Sequence, residues 1–188
     1  MKRTLTFIAV LLVAVTALAQ EAPKRFGIKS GEFKTQTDMM GQLIEATTYF
    51  DDYGAKQYSR TKMSMMGMEI DMASLQRDGK SYAINYDEKT VQDAPFQQES
   101  VNYLDLDEKT VAKYKVKEVG KEVVAGKECT VYTLEISQMG QTAKAKASVW
   151  NGIPLKTVTE TMGMSLTATV VDIKEGPVDA SLFELPKF

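Results

Sequence analysis

The stretch Met66-Gly67-Met68-Glu69-Ile70-Asp71-Met72-Ala73 decides how this chain is read. Met66, Met68, Ile70 and Met72 fall on one side of an extended backbone, and Gly67, Glu69, Asp71 and Ala73 fall on the other. Successive Cβ atoms of a strand point to opposite faces, so this alternation marks a half-buried β-strand. The stretch opens on a Met-Gly step, and the same step recurs at Met40-Gly41, Met139-Gly140 and Met162-Gly163. A strand-like run follows each step and a second glycine closes it, at Gly54, Gly79, Gly152 and Gly176. Glycine enters positive φ without a Cβ clash, which suits Met-Gly to a type II turn or to a type I turn closed by a glycine bulge. Asp78-Gly79 and Asn151-Gly152 are stronger hairpin signals still. The repeat predicts an antiparallel meander.

Outward from that stretch the alternation continues. Residues 30–38 and then Ile44, Ala46, Thr48 and Phe50 form a first hairpin, Tyr58 to Met65 leads into Met66-Gly67, and Tyr82, Ile84 and Tyr86 follow Asp78-Gly79. This makes five strands in a row. Residues 91–103, with Pro95 and Gln97-Gln98-Glu99, show no dominant period and read as a crossing loop. Asp107 reads as the N-cap of a short helix ending near Tyr114, with Leu106 and Val111 as its hydrophobic staple and Glu108 in the first turn. So short a helix does not persist alone in water, and it must dock on the sheet through Val111 and Tyr114. A second set of five strands follows, over residues 115–124, 129–137, 143–149, 153–161 and 164–173, with a turn at Ala125-Gly126 and a bulge at Val170-Val171. Leu182, Phe183 and Leu185 pack the tail. The residues therefore predict a mainly β (α+β) domain in which two meanders bracket one helical crossing.

The first residues have the form of a leader. Met1-Lys2-Arg3 precedes an apolar run from Leu5 to Leu18, and Ala17 and Ala19 supply small residues for cleavage after Ala19. Residues 1–19 are read as a secretory signal peptide and residues 20–188 as one domain. The run is shorter than the ~20 residues that span hydrocarbon, no cysteine follows the cut, and no stable membrane insertion is expected after cleavage. The expected location is periplasmic or secreted. The formal net charge of −2 grows more negative when Lys2 and Arg3 leave, and no basic stripe points to nucleic acid. Cys129 is the single cysteine, which rules out an intramolecular disulfide; it reads as a small buried hydrophobe without a redox partner.

The sequence contains no histidine, which removes Ser-His and Cys-His nucleophile pairs and most zinc sites. Ser59-Arg60-Thr61-Lys62 matches Ser-x-x-Lys but falls in a strand, where that chemistry does not operate. Asp105, Asp107 and Glu108 lack the glycine of a calcium loop and read as a helix cap. Met63, Met65, Met66 and Met68 resemble the thioether runs that hold Cu(I), yet alternation is expected to split them between two faces, Met66 and Met68 pointing with Ile70. Core or cavity lining is the favoured reading of these methionines. No catalytic residue, metal ligand or cofactor is assigned.

Several strings carry a resemblance. They are Gly120-x-Glu122 with Ala125-Gly126-Lys127-Glu128-Cys129 and Tyr132, then Val149-Trp150-Asn151-Gly152-Ile153-Pro154-Leu155-Lys156, and the ending Ser181-Leu182-Phe183-Glu184-Leu185-Pro186. Together they resemble a family of secreted bacterial proteins carried as a domain of unknown function, whose nearest described relatives are LolA-like periplasmic lipoprotein carriers. The resemblance implies a strongly curved antiparallel sheet, an incomplete barrel of about ten strands, with helical cover over an apolar cavity on its concave side. Relatives use that cavity for acyl chains. On this chain the expected lining is Met66, Met68, Ile70 and Met72 from one meander and Ala143, Ala145, Ala147, Met164 and Leu166 from the other. The three alanines are too small to fill the ~10 Å over a packed sheet. The expected function is binding of a lipid or other apolar ligand, as a carrier or sensor in envelope biogenesis. A non-enzymatic module that binds an envelope protein is the alternative, and a Met-rich Cu(I)-binding protein the second.

Overall fold

The computed structural model describes residues 24–39, 42–65, 68–94, 101–138, 141–161 and 163–188. The leader and three of the Met-Gly steps lie outside these residues, as does Met162 of the fourth. Eleven strands form one antiparallel sheet: β1 Gly31–Met39, β2 Gln42–Asp51, β3 Lys56–Met65, β4 Met68–Arg77, β5 Lys80–Asn85, β6 Thr90–Ala94, β7 Lys117–Val124, β8 Lys127–Gln138, β9 Gln141–Trp150, β10 Ile153–Thr161 and β11 Met164–Glu175. Their order is β6-β5-β4-β3-β2-β1-β11-β10-β9-β8-β7. The first meander runs from the centre at β1 outward to β6 and the second from β7 inward to β11; the two are joined by pairing of β1 with β11, and β6 and β7 are unclosed edges. The count exceeds the expected ten by one, because residues 91–94 of the expected crossing loop, with Thr90 before them, pair with β5. An edge strand this short buries one face of very few residues, which leaves little periodicity to read.

The turns follow their local chemistry. Asp78-Gly79, Ala125-Gly126 and Asn151-Gly152 each have positive φ at both residues, the two-residue type I′ geometry that matches strand twist. Strands flanking every Met-Gly step pair up to the adjoining residue: Met39 with Gln42, Met65 with Met68, Gln138 with Gln141 and Thr161 with Met164. The strand ends that flank the four steps therefore lie at one end of the sheet, and in the sequence every methionine beyond Met1 falls on or within a few residues of a step. The expected bulge is present, since Lys34 pairs with Asp172 and Thr35 with Val170, leaving Val171 over. Further irregularities fall between Glu118 and Gly120 and between Pro154 and Lys156.

At the end opposite the Met-Gly steps the sheet curls tightly. Lys127 at the start of β8 reaches Glu175 at the end of β11 at 3.2 Å, across two intervening strands. Phe26, Phe50, Val124, Cys129, Ile153, Leu155 and Val170 fill the fold of that curl. Cys129 is fully buried there, and burial raises its thiol above the usual range. Residues 24–30 are not a strand, but Gly27 N–H donates to Asn151 O at 2.8 Å and Phe26 stacks edge-on against Phe50. Gly152 needs to be glycine on two counts, having φ of +77° and placing any Cβ 2.4 Å from the Arg25 carbonyl.

Helix α1 Glu108–Tyr114 has the expected cap, with Thr110 N–H donating to Asp107 Oδ1 at 2.6 Å and Lys115 left-handed at its end. The tail forms a 3-10 turn over Ala180–Phe183. Val178, Leu182, Phe183 and Leu185 cover Tyr58, Leu75 and Ile84, and Arg77 Nη1 donates to the Phe183 carbonyl at 2.8 Å.

Candidate functional site

Register traces one face across both meanders. Met72 pairs with Thr61, Thr61 with Ala46, Ala46 with Thr35 and Thr35 with Val170. From the other side Ala147 pairs with Thr157, Thr157 with Ala168, Ala168 with Thr37 and Thr37 with Ile44. Directly paired residues share a face, and every second residue returns to it. Met68, Ile70, Met72, Ala143, Ala145, Ala147, Met164 and Leu166 therefore lie on the same face, while Met66 is outside the described residues. They do not form one patch. Ala145 and Ala147 are 6% and 2% exposed, and Val101, Tyr103, Leu106, Val111 and Tyr114 pack against the cluster they form with Leu134 and Val149. The space expected to stand open above the alanine row is thus taken by the crossing segment and α1. Met72, Met164 and Leu166 are 41%, 53% and 39% exposed, so that cover does not extend over them.

The two faces of the N-terminal meander differ in charge. Arg60 on the outer face donates two hydrogen bonds to Asp71, at 2.7 and 2.6 Å, and stacks 4.1 Å over Tyr86. Those bonds hold the Asp71 carboxyl below its ordinary value, and Lys62 adds to the pair at 3.4 Å. The opposite, helix-bearing face carries Thr35, Thr37, Thr48, Ser59, Thr61 and Ser74 beside its apolar residues. Under the crossing segment Tyr103 and Tyr132 lie 5.3 Å apart, and burial, then the neighbouring Tyr132, pushes Tyr103 up to about 12.

Below Met72 the same face hollows into an open groove of ≈ 300 Å³. Phe33, Thr48, Gln57, Ser59, Ser74 and Ser81 are among its walls, and none of its lining residues is charged. Thr48 Oγ1 donates to Ser59 Oγ at 3.0 Å and Gln57 Nε2 to the Gly54 carbonyl at 2.9 Å. Ser81 Oγ is buried without a hydrogen-bond partner, the one such side-chain atom found among the described residues. Sequence reading missed this groove. A signal existed in the run of Ser, Thr and Gln at alternate positions 57, 59 and 61 and 74 and 76, but it reads equally as a solvated strand face.

The expected splitting of the methionines is corrected. Met65 pairs with Met68 and Met63 with Ile70, so Met63, Met65, Met68 and Met72 share the helix-bearing face. Parity counted straight through the sequence fails here because Met65, an odd position, pairs with Met68, an even one. Ser59 and Lys62 fall on opposite faces, Lys62 with Asp71, which separates the two members of the Ser-x-x-Lys string. Asp107 is the helix cap, and no group of His, Cys, Asp or Glu suited to a metal occurs among the described residues. Ser148, 1% exposed, donates to Glu122, whose carboxyl is held low chiefly by that bond, with Lys156 at 3.6 Å.

Comparison with solved structures gives the class of fold. An uncharacterized conserved protein from Thermus thermophilus matches with a TM-score of 0.57 at 12% identity, over 85% of this chain and 86% of that one. A chain in the complex of Pseudomonas aeruginosa MucA/MucB matches with a TM-score of 0.55 at 16% identity, over 81% of this chain and 54% of that one. MucB alone matches with a TM-score of 0.52 at 14% identity, over 81% of this chain and 55% of its own. This chain therefore spans about half the length of the MucB chain. No family model matches, and no curated protein matches. What is shared is the fold, which in this chain is a curved, unclosed antiparallel sheet with one short α-helix among the described residues.

Proposed function

We propose that the chain is an exported, periplasmic binding protein of the LolA-like group that holds a lipid or other long apolar molecule on the helix-bearing face of its sheet. One observation carries this reading. Beyond α1 that face continues as an uncharged surface with Met72, Met164 and Leu166 exposed and an open groove beneath Met72. Exposed apolar surface of this kind gains free energy when covered, and methionine adapts to ligands of varied shape. Native mass spectrometry of protein exported to the periplasm tests the proposal. The expected spectrum shows a chain lacking residues 1–19 with a lipid-sized adduct. A ligand-free chain leaves the envelope interaction module as the reading, which the occurrence of MucB in a complex with MucA supports by fold alone. A chain retaining Lys2 removes the export assignment.

A second reading is favoured by the register of β3 and β4. Paired strand positions share a face, so the register assigns positions 63, 65 and 68 to one face of one hairpin, and methionine thioethers are donors suited to Cu(I). Titration of Cu(I) against a competing chelator separates the readings. Submicromolar affinity that disappears in Met63→Leu/Met65→Leu/Met68→Leu identifies a copper protein, and under the lipid reading no such affinity is expected.

A further inference from the structure

We infer that the uncharged groove beneath Met72 is a headgroup subsite for a neutral glycerolipid, one bearing hydroxyl and ester oxygens and no ionised group. The inference rests on the apolar-ligand reading above and adds to it the chemistry of the ligand's polar end. Three observations point the same way. The groove lies on the face shared with Ile70 and Met72, since Ser74 follows Met72 by two residues on β4 and pairs with Ser59 and Ala83. A molecule spanning both would have its chain against the methionines and its head against Thr48, Ser59, Ser74 and Ser81.

The second observation is the absence of charge from the lining, in a chain that is 26% charged. A carboxylate or phosphate brought there would shed water with no cation to meet it, which is costly, whereas hydroxyl and ester groups exchange hydrogen bonds with water for bonds with Ser, Thr and Gln. The third is Ser81 Oγ, buried and unpartnered at the groove wall. A buried hydroxyl left unpaired destabilises the empty protein, and a ligand oxygen that accepts its proton removes that cost on binding.

Isothermal titration of the purified protein with monoolein and with oleate at neutral pH tests this, because the two share a chain and differ in headgroup charge. Monoolein is expected to bind at least about tenfold more tightly than oleate, the factor that one uncompensated polar group commands. Ser81→Ala is expected to weaken monoolein several-fold, leave oleate unchanged and raise the Tm of the empty protein, a combination that a merely damaged fold does not give. Ser74→Lys, at an exposed position on the groove, is expected to reverse the preference in favour of oleate. Equal or tighter binding of oleate to the wild type overturns the headgroup inference while the apolar-ligand reading stands. Failure of both lipids to bind overturns the two together.

Discussion

Replacing Phe50 with alanine is expected to lower the unfolding free energy by about 3–5 kcal/mol, the usual range for deleting a buried aromatic ring. Phe50 is fully buried where the sheet curls, with Phe26 edge-on at a centroid distance of 5.0 Å and Phe33 tilted at 6.1 Å. It pairs with Gly31, and a Cβ on that glycine would stand 3.0 Å from the ring, so the ring lies directly against bare backbone. Loss of the ring opens a cavity among groups fixed by strand pairing on both sides, which limits their collapse. Urea denaturation checks the prediction through a lower midpoint at an unchanged m-value. A loss below about 1 kcal/mol would mean that the curl closes over the cavity and that this cluster does not anchor the fold.

The second expected result concerns Ala145→Leu, which should cost about 1–3 kcal/mol by overpacking. Ala145 lies in the cluster against which Leu106 and Val111 pack, so added methylenes meet the crossing segment and α1 rather than open volume. Met72→Leu supplies the contrast, because an exposed residue on the same face changes stability by no more than about 0.5 kcal/mol. The pair of variants locates any ligand space. If a fluorescent fatty-acid probe binds wild type and Ala145→Leu alike, the ligand lies on the side of Met72 and the groove. Probe binding lost in Ala145→Leu with stability intact would instead place open volume above the alanines.

The helix was legible down to its cap because its signals are local. Asp107, Leu106 and Val111 lie within five positions of one another, and the hydrogen bond from Thr110 forms within a single turn. The hairpins were legible for the same reason, since Asp78-Gly79 and Asn151-Gly152 adopt positive φ whatever lies around them. The bulge at Val171 showed itself as two adjacent valines where alternation required one. Strand β6 was not legible: five residues at an edge carry too few alternations to stand out.

Membership of one face was half legible. Alternation along β4 and β9 set which residues go together within a strand, and it correctly grouped Met68 with Met72 and Ala143 with Ala147. Whether positions 63 and 65 join them depends on the pairing register of β3 with β4, and a slip of one residue would have sent them to the other side. Depth was not legible at all. Ala147 and Met72 both read as apolar positions of half-buried strands, yet one is sealed beneath α1 and the other is exposed, because the crossing segment covers only the C-terminal meander's part of that face. Ten of the eleven strands, the hairpin turns at Asp78-Gly79, Ala125-Gly126 and Asn151-Gly152, the helix and the lack of histidine chemistry follow from the sequence alone, all consequences of short-range sterics, periodicity or composition. The tertiary structure alone decided which apolar residues are core and which are surface, and that an uncharged groove ends in an unpartnered serine, since burial is a property of what packs on top.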